Sequence, residues 1–230
     1  MTDAGDPSCA PSLDEWRLLT RADHAAIFDL HTAAVAAVGQ PDLVRPETDG
    51  FFADLLGGGG LILGMEDKAG LLAYGVLQWD LPPSEDLRRP LGLPATAPFA
   101  KLAGASVRPG CWGYGLHEAV IAARVEAARV RGLSYLYATA APGNARSWTN
   151  LITQGFALCA MIEQYGGHLR FILHRHVVRP FGSSVTLEPR GWCLATDHHL
   201  IWEWLGQGAM GIAWRRPRAT GLEIGWALPS

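Results

Sequence analysis

The chain has 230 residues, of which 49% are hydrophobic, so it can bury a full core and is not of the disordered class. Its formal net charge is −3 with both signs scattered along the sequence, which provides no basic stripe for binding nucleic acid. No apolar stretch approaches the ~20 residues that cross a bilayer, and no signal peptide is evident, so we expect a cytoplasmic protein that binds no membrane.

Apolar periodicity predicts strands and helices over most of the chain. The predicted strands cover residues 16–19, 61–65, 70–79, 99–107, 133–139, 156–164 and 168–176. The predicted helices cover residues 23–38, 46–56, 115–131 and 144–154, and a glycine follows each of them closely. On the third helix one apolar stripe is predicted to face the core: Leu116, Val120, Ala123, Ala127 and Val130.

Residues 81–98 are rich in proline and have no periodicity, which predicts a long irregular loop. Long loops inside compact domains are often lids or binding loops, but a tolerated surface insertion explains the composition equally well.

Beyond residue 180 the pattern predicts strands over 184–196, 209–215 and 221–228, and a short helix over 198–205 that Asp197 would cap. We therefore expect a disordered lead at 1–14, a main domain at 15–178 and a strand-rich extension at 179–230. So small an extension should pack on the main domain or on a second subunit, which makes a homodimer plausible. The order of elements predicts an α/β fold with a mixed sheet covered by helices on both faces.

The cysteines lie far apart and form no CxxC pair: Cys9, Cys111, Cys159 and Cys193. This spacing favours free buried thiols over zinc ligands or a disulfide framework. Asp197, His198 and His199 indicate the start of a surface helix rather than a metal site, because adjacent helical residues point in different directions. The sequence predicts no metal centre.

A glycine-rich turn joins the predicted strand 99–107 to the helix that follows it. It reads Val107-Arg108-Pro109-Gly110-Cys111-Trp112-Gly113-Tyr114-Gly115-Leu116. Amides in such a turn, together with the helix N-terminus, can face an anion. Downstream, Asn144-Ala145-Arg146-Ser147 is followed by Gly155-Phe156. In this order the two motifs resemble the pyrophosphate-binding turn and the Asn-x-x-Ala/Ser element of the GNAT (GCN5-related N-acetyltransferase) family, over about residues 16–175.

The resemblance implies a centrally splayed sheet, to which a small C-terminal α+β extension is added, and an acetyl-CoA or other acyl-CoA co-substrate. It implies that the pantetheine arm pairs with the strand at Ala105 and Val107. It also implies that Asn144 and Ser147 lie at the arm, although Asn144 equally suits a helix N-cap. The remaining implied donor-binding residues are Trp112, Gly113, Tyr114, Gly115, Leu116 and His117.

Two alignments of the turn with the family pattern remain open. In one, Gly115 is the central glycine and Trp112 stands where the family usually has Gln or Arg. In the other, Gly110, Gly113 and Gly115 match the glycines. In both, the polar or basic side chain at the first position is missing.

The family's usual acid and base are also missing. The predicted strand 99–107 carries Lys101 as its one ionisable residue, and Leu151 stands where many members have a tyrosine general acid. An amine that arrives neutral could attack a thioester without either. Four residues are substitute candidates for the proton acceptor: Asp80, Glu85, His117 and His168.

The function predicted from the resemblance is transfer of an acyl group from a CoA thioester to an amine or hydroxyl of a small molecule, by direct attack. One alternative is an acyl donor tethered to the phosphopantetheine of an acyl carrier protein, as in specialised-metabolite biosynthesis, which would need no diphosphate anchor. Another is a GNAT-like sensor that binds acyl-CoA without catalysis.

Overall fold

The computed structural model describes residues 16–40, 42–181 and 188–228. The lead predicted at residues 1–14 lies outside the described residues. The chain divides into two compact units. The first comprises residues up to Asp86 together with Ala100–Arg131, and the second comprises Leu87–Phe99 together with the residues from Gly132 onward.

Strands and helices alternate along the described residues, and the predicted α/β class is confirmed. The strands are β1 (Arg17–Leu18), β2 (Gly60–Asp67), β3 (Gly70–Gln78), β4 (Phe99–Val107), β5 (Tyr135–Ala140), β6 (Ala157–Gln164), β7 (His168–His176), β8 (Gly191–Leu194), β9 (Met210–Arg215) and β10 (Glu223–Ala227). The helices are α1 (His24–Val38), α2 (Asp49–Asp54), α3 (Leu116–Val130), α4 (Ala145–Thr153) and α5 (His198–Gly206).

Two boundaries differ from the prediction for local reasons. Helix α2 begins at Asp49 rather than at residue 46 because Thr48 is its N-cap, with Oγ1 accepting from the N–H of Phe51 at 3.2 Å. Strand β2 runs on to Asp67 because the hairpin turn is shorter than expected: the Ala69 N–H donates to Asp67 Oδ1 at 2.8 Å. The 81–98 segment is irregular as predicted, apart from one 3₁₀ turn at Pro83–Glu85.

In the first unit, β1, β2, β3 and β4 pair side by side as antiparallel strands. Strand β3 is buried from Leu71 to Gln78, on both of its faces. Tyr74 contacts His31 of α1, whereas the Cα of the next residue, Gly75, lies against α3. Because successive strand residues point to opposite faces, α1 and α3 cover opposite faces of this sheet.

The pairing of β3 with β4 is interrupted by a bulge. Gly75 is opposite Ala105, but Leu77 is opposite Leu102, so Ala103 and Gly104 together face the single residue Val76. An extra residue of this kind is left unpaired and locally disrupts the ladder.

The buried side chain of Arg124 on α3 supplies donors to that bulge. Its Nη1 donates to the carbonyl oxygens of Val76 and Ala103, both at 3.2 Å, and its Nε donates to Val120 O at 3.1 Å. Gly75 leaves room for it, because a Cβ there would lie 2.8 Å from Arg124 Nε. Burial lowers the pKa of Arg124, and the three carbonyl dipoles stabilise the charge.

The apolar stripe predicted for α3 is therefore partly wrong. Leu116 and Val120 are buried, but Val130 is 73% exposed, and Arg124 lies in the buried face. The buried face of α3 also includes Ile121, Val125 and Ala128, because the helix is oriented with the Arg124 guanidinium toward the bulge.

In the second unit, β7 lies between β5 and β6, and all three are antiparallel. The predicted extension continues this sheet: β6 pairs with β9 at Leu158 and Gly211, β9 pairs with β10, and β10 pairs with β8. Asp197 caps α5 as predicted, its Oδ1 accepting from Leu200 N–H at 3.1 Å. The rings of Trp204 and Trp226 stack within the extension.

The cysteine prediction is correct for two of the described residues and wrong for one. Cys159 and Cys193 are free thiols. Cys111 is disulfide-bonded. Sequence spacing could not reveal this, because it does not show which distant segments meet in the fold.

None of the helices that the structure describes is long and apolar enough to cross a membrane.

The role of Arg124 can be tested by replacing it with methionine, which keeps the length of the side chain but removes the donors. Arg124→Met removes the guanidinium donor from the buried carbonyl groups of Val76 and Ala103, so we expect a loss of about 2–4 kcal/mol in the free energy of unfolding. Urea unfolding monitored by circular dichroism measures the change.

Arg129→Met on the same helix is the matched control, because Arg129 is exposed and pairs with Glu126, three residues before it. It should leave the unfolding midpoint nearly unchanged. Equal midpoints for the two variants would contradict a supporting role for Arg124.

Candidate active site

The donor turn, which we define as residues 108–115, begins at the C-terminal end of β4 and leads into α3. Arg108 N–H donates to Leu72 O at 2.8 Å and Cys111 N–H donates to Arg108 O at 3.0 Å, which closes the first half of the turn. Gly113 and Gly115 have φ of 96° and 77°, in the left-handed region that favours glycine. These conformations direct the chain into the first turn of α3.

Most backbone amides in the second half of the donor turn are available to a ligand. Within the described residues, no hydrogen bond is found for the N–H groups of Gly113, Gly115 and Leu116. They precede a helix of 15 residues, whose N-terminus carries partial positive charge. Such an array of amides suits the phosphate oxygens of a nucleotide-like anion.

Strand β4 directs backbone groups away from β3 just before the turn. Because Arg108 bonds to Leu72, alternation along an antiparallel pair turns the N–H and C=O groups of Val107 and Ala105 away from β3. Trp112 Nε1 donates to Val107 O at 3.0 Å, so the indole covers the end of the strand. The carbonyl oxygen of Val107 keeps a second lone pair for another donor.

The basic residue of the donor turn has a structural partner. Arg108 pairs with Asp67 at 2.7 Å and also donates to Gly70 O, which ties the turn to the β2–β3 hairpin. This ion pair lowers the pKa of Asp67. Any anion at the turn would therefore be held by backbone amides rather than by Arg108.

The downstream motif forms the start of α4 in the second unit. Asn144 is the N-cap, with Oδ1 accepting from Ser147 N–H at 3.2 Å. Leu151, at the position of the family's tyrosine, is buried in the core. The N-cap alternative for Asn144 is confirmed, and contact of Asn144 and Ser147 with the pantetheine arm stays a prediction.

The four candidate proton acceptors belong to different elements and differ in exposure and partners. Asp80 is exposed after β3, and His168 is exposed at the start of β7. His117 lies in the first turn of α3. Glu85 pairs with Lys101 at 2.6 Å, which gives it a structural role. Catalysis by any of the four stays a prediction.

The structure adds a polar network that sequence reasoning missed. His31 Nδ1 lies 2.9 Å from the hydroxyl of Tyr74, and Ser106 Oγ lies 3.3 Å from the same hydroxyl. His31 Nε2 accepts from the backbone N–H of Glu47 at 2.8 Å. An acceptor nitrogen requires a neutral ring, so His31 carries its proton on Nδ1 and donates it to Tyr74.

Burial explains the charge states in this network. It lowers the pKa of His31, which keeps the ring neutral, and raises the pKa of Tyr74, which keeps the phenol protonated. Burial also raises the pKa of Glu47. The positive charges of Arg45 and Lys101 oppose this shift, and the negative charge of Glu85 adds to it. The sequence carries no signal for this network, because its members come from a helix, a loop and two strands.

No group of three or more His, Cys, Asp or Glu side chains placed to hold a metal ion is found among the described residues.

No family model matches the sequence, and no curated protein matches it. Solved structures of N-acetyltransferases do match. The ribosomal-protein-S18-alanine N-acetyltransferase of Escherichia coli has a TM-score of 0.55 and 17% identity, over 74% of this chain and 97% of its own. A ribosomal-protein-alanine N-acetyltransferase from Brucella melitensis has a TM-score of 0.54 and 20% identity, over 70% and 98%.

A third match is a GNAT-superfamily phosphinothricin acetyltransferase from Sinorhizobium meliloti, solved in complex with acetyl-CoA. Its TM-score is 0.53 and its identity 14%, over 74% of this chain and 89% of its own. At identities this low, the likeness shows a shared fold: the chain has the GNAT fold.

Proposed function

We propose that this chain is an acyltransferase that moves an acetyl or other acyl group from a CoA thioester to an amine of a small molecule by direct attack. A hydroxyl acceptor would use the same chemistry. The GNAT fold supports the proposal, because the three solved structures reported above are acetyltransferases and the one from Sinorhizobium meliloti holds acetyl-CoA. The observation that carries it is the donor turn, with its unused amides at the start of α3.

The turn and β4 suit the two ends of a CoA-type donor. Amides of Gly113, Gly115 and Leu116 would receive phosphate oxygens, and the backbone of Ala105 and Val107 would pair with the amides of the pantetheine arm. The arm would then direct the thioester along β4 toward Gly104. Contact of the arm with Asn144 and Ser147 is a further part of the proposal.

The lengths of the matches support the proposed domain division. The solved structures use nearly all of their own length to cover 70% to 74% of this chain. This agrees with an acyltransferase domain at residues 15–178 and an extension at residues 179–230.

A carrier-protein donor is the second candidate. Trp112 donates its ring N–H to Val107, and Arg108 is paired with Asp67, so no cationic side chain of the donor turn is left for a diphosphate. Phosphopantetheine attached to a carrier protein has one phosphate and needs less positive charge. A non-catalytic acyl-CoA sensor remains the third candidate, and release of free thiol from acetyl-CoA in the presence of an amine would exclude it.

Gly115→Ala tests whether the donor turn binds the donor. Alanine at a φ of 77° is strained, and adjusting the turn moves the neighbouring amides away from the anion. Losing hydrogen bonds to a charged group at about 1.5–3 kcal/mol each should weaken acetyl-CoA binding about 10-fold or more. Isothermal titration calorimetry with acetyl-CoA measures the change.

Gly132→Ala is the matched control at the other end of α3. Gly132 has a φ of 71°, and neither glycine has an atom within 4 Å of an added Cβ. Both variants carry the same backbone strain, but only Gly115 lies in the donor turn. If both variants bind acetyl-CoA as the wild type does, the turn is not the donor site.

The two donor candidates make different predictions for free ligands. A turn that binds the diphosphate of CoA should prefer CoA to 4′-phosphopantetheine by about 10-fold or more, since CoA adds charge-assisted hydrogen bonds. Calorimetric titration of the wild-type protein with each compound decides this. Equal affinities would contradict the CoA proposal and favour a carrier-protein donor.

A further inference from the structure

The carboxylate side chain of Glu47 lies beside the bulge of β4. A Cβ atom built on Gly104 would be 3.7 Å from Glu47 Cγ and 3.9 Å from Tyr74 Oη. Gly104 is one of the two bulge residues and is partly accessible. In the proposed function, the thioester runs along β4 from the donor turn toward this residue.

Buried groups hold Glu47 at that place. Its N–H donates to Nε2 of His31, and His31 is fixed in turn by Tyr74. The next residue, Thr48, is the N-cap of α2, so the chain on the other side of Glu47 is also held. A residue with both flanks fixed presents its side chain in a defined direction.

The charges around Glu47 leave its carboxylate available. Lys101 of β4 is engaged by Glu85 at 2.6 Å, and Arg45 lies 3.9 Å from Glu85. Within residues 16–40, 42–181 and 188–228, no hydrogen bond or ion pair to the Glu47 carboxylate is present. The neutral groups facing it are His31 and Tyr74.

A carboxylate in this setting is a stronger proton acceptor than one in water. Burial is the largest influence on the pKa of Glu47, and it raises that pKa. A general base works best when its pKa approaches the working pH.

Resting on the proposed function, we propose that Glu47 is the catalytic base that receives the proton of the acceptor, and that the acceptor is a primary amine arriving as an ammonium ion. The anionic carboxylate attracts such a cation to the bulge of β4. His31 and Tyr74 are positioning residues, since they act through Glu47.

The proposed step balances as follows. One ammonium proton passes to Glu47, which frees the nitrogen lone pair. The nitrogen attacks the thioester carbonyl carbon, the C–N bond forms, and the C–S bond breaks as the tetrahedral intermediate collapses. The second nitrogen proton passes to the leaving thiolate, which gives an amide and a free thiol, and Glu47 releases its proton to solvent.

Glu47→Gln tests the proposal with two small nucleophiles. Methylamine is an ammonium ion at neutral pH, whereas hydroxylamine is largely neutral and needs no base before it attacks. Thiol release from acetyl-CoA is measured, with the reaction without enzyme subtracted. We expect kcat with methylamine to fall about 100-fold or more and kcat with hydroxylamine to change far less.

The pH profile provides a readout that a structural role would not move. The wild-type rate with methylamine should fall as the pH is lowered and Glu47 becomes protonated. In Glu47→Gln the rate should no longer change over the pH range in which Glu47 titrates, and the residual rate should rise only at higher pH, where free methylamine is formed. Glu126→Gln, an exposed glutamate on α3, is the matched control and should keep the wild-type rates and profile.

Folding of the variant is checked by thermal unfolding. Because the folded-state pKa of Glu47 is raised, stability falls as the pH rises from the unfolded-state pKa to the folded-state pKa of this carboxyl, and the full loss remains above it. Glutamine resembles the protonated form, so the Tm of Glu47→Gln at neutral pH should equal or exceed that of the wild type.

Failure of this inference can be told apart from failure of the proposed function. If the wild type does not bind acetyl-CoA or phosphopantetheine, the proposed function fails. If it binds acetyl-CoA but releases no thiol with methylamine, or if Glu47→Gln loses activity equally with both nucleophiles or keeps it with both, the assignment to Glu47 is overturned.

Discussion

The guanidinium of Arg124 at the bulge of β4 is the contact on which the arrangement of the first unit depends. A bulge in a buried strand pair leaves carbonyl groups that water cannot reach, and a buried arginine is costly without partners. Each cost is offset by the other, because Arg124 donates to Val76 O and Ala103 O. The small size of Gly75 makes the fit possible, since a Cβ there would collide with Val120 and Arg124.

The bulge decides which groups β4 presents on each side of it. Toward the donor turn, Ala105 and Val107 direct their backbone groups away from β3, as pairing with a pantetheine arm requires. At the bulge, Gly104 adds no side chain, and the carboxylate of Glu47 lies against that gap. The proposed donor and the proposed base therefore both lie beside β4. The position of each depends on Arg124, which holds the bulge in place.

The sequence predicted the features that have local causes. The glycines of the donor turn, the N-caps Asn144 and Asp197 and most element boundaries each depend on residues close by in the chain. Arg124 was missed because periodicity assigns a charged residue to the exposed face, and only a bulge formed by other strands provides it with buried partners. Glu47 was missed because it lies between helices, where no pattern distinguishes a functional carboxylate from a solvated one.

The two glutamates near β4 show how stability and function can be separated. Glu85 has a structural explanation, since it neutralises the buried Lys101. Glu47 bonds to no cation within the described residues, and burial disfavours its charged form more than the attraction of Arg45 and Lys101 favours it. A glutamine there would fit the same space without the cost of burying a charge. A carboxylate that lowers stability, held rigidly by a neutral histidine beside the donor strand, is best explained by the proton that it can accept.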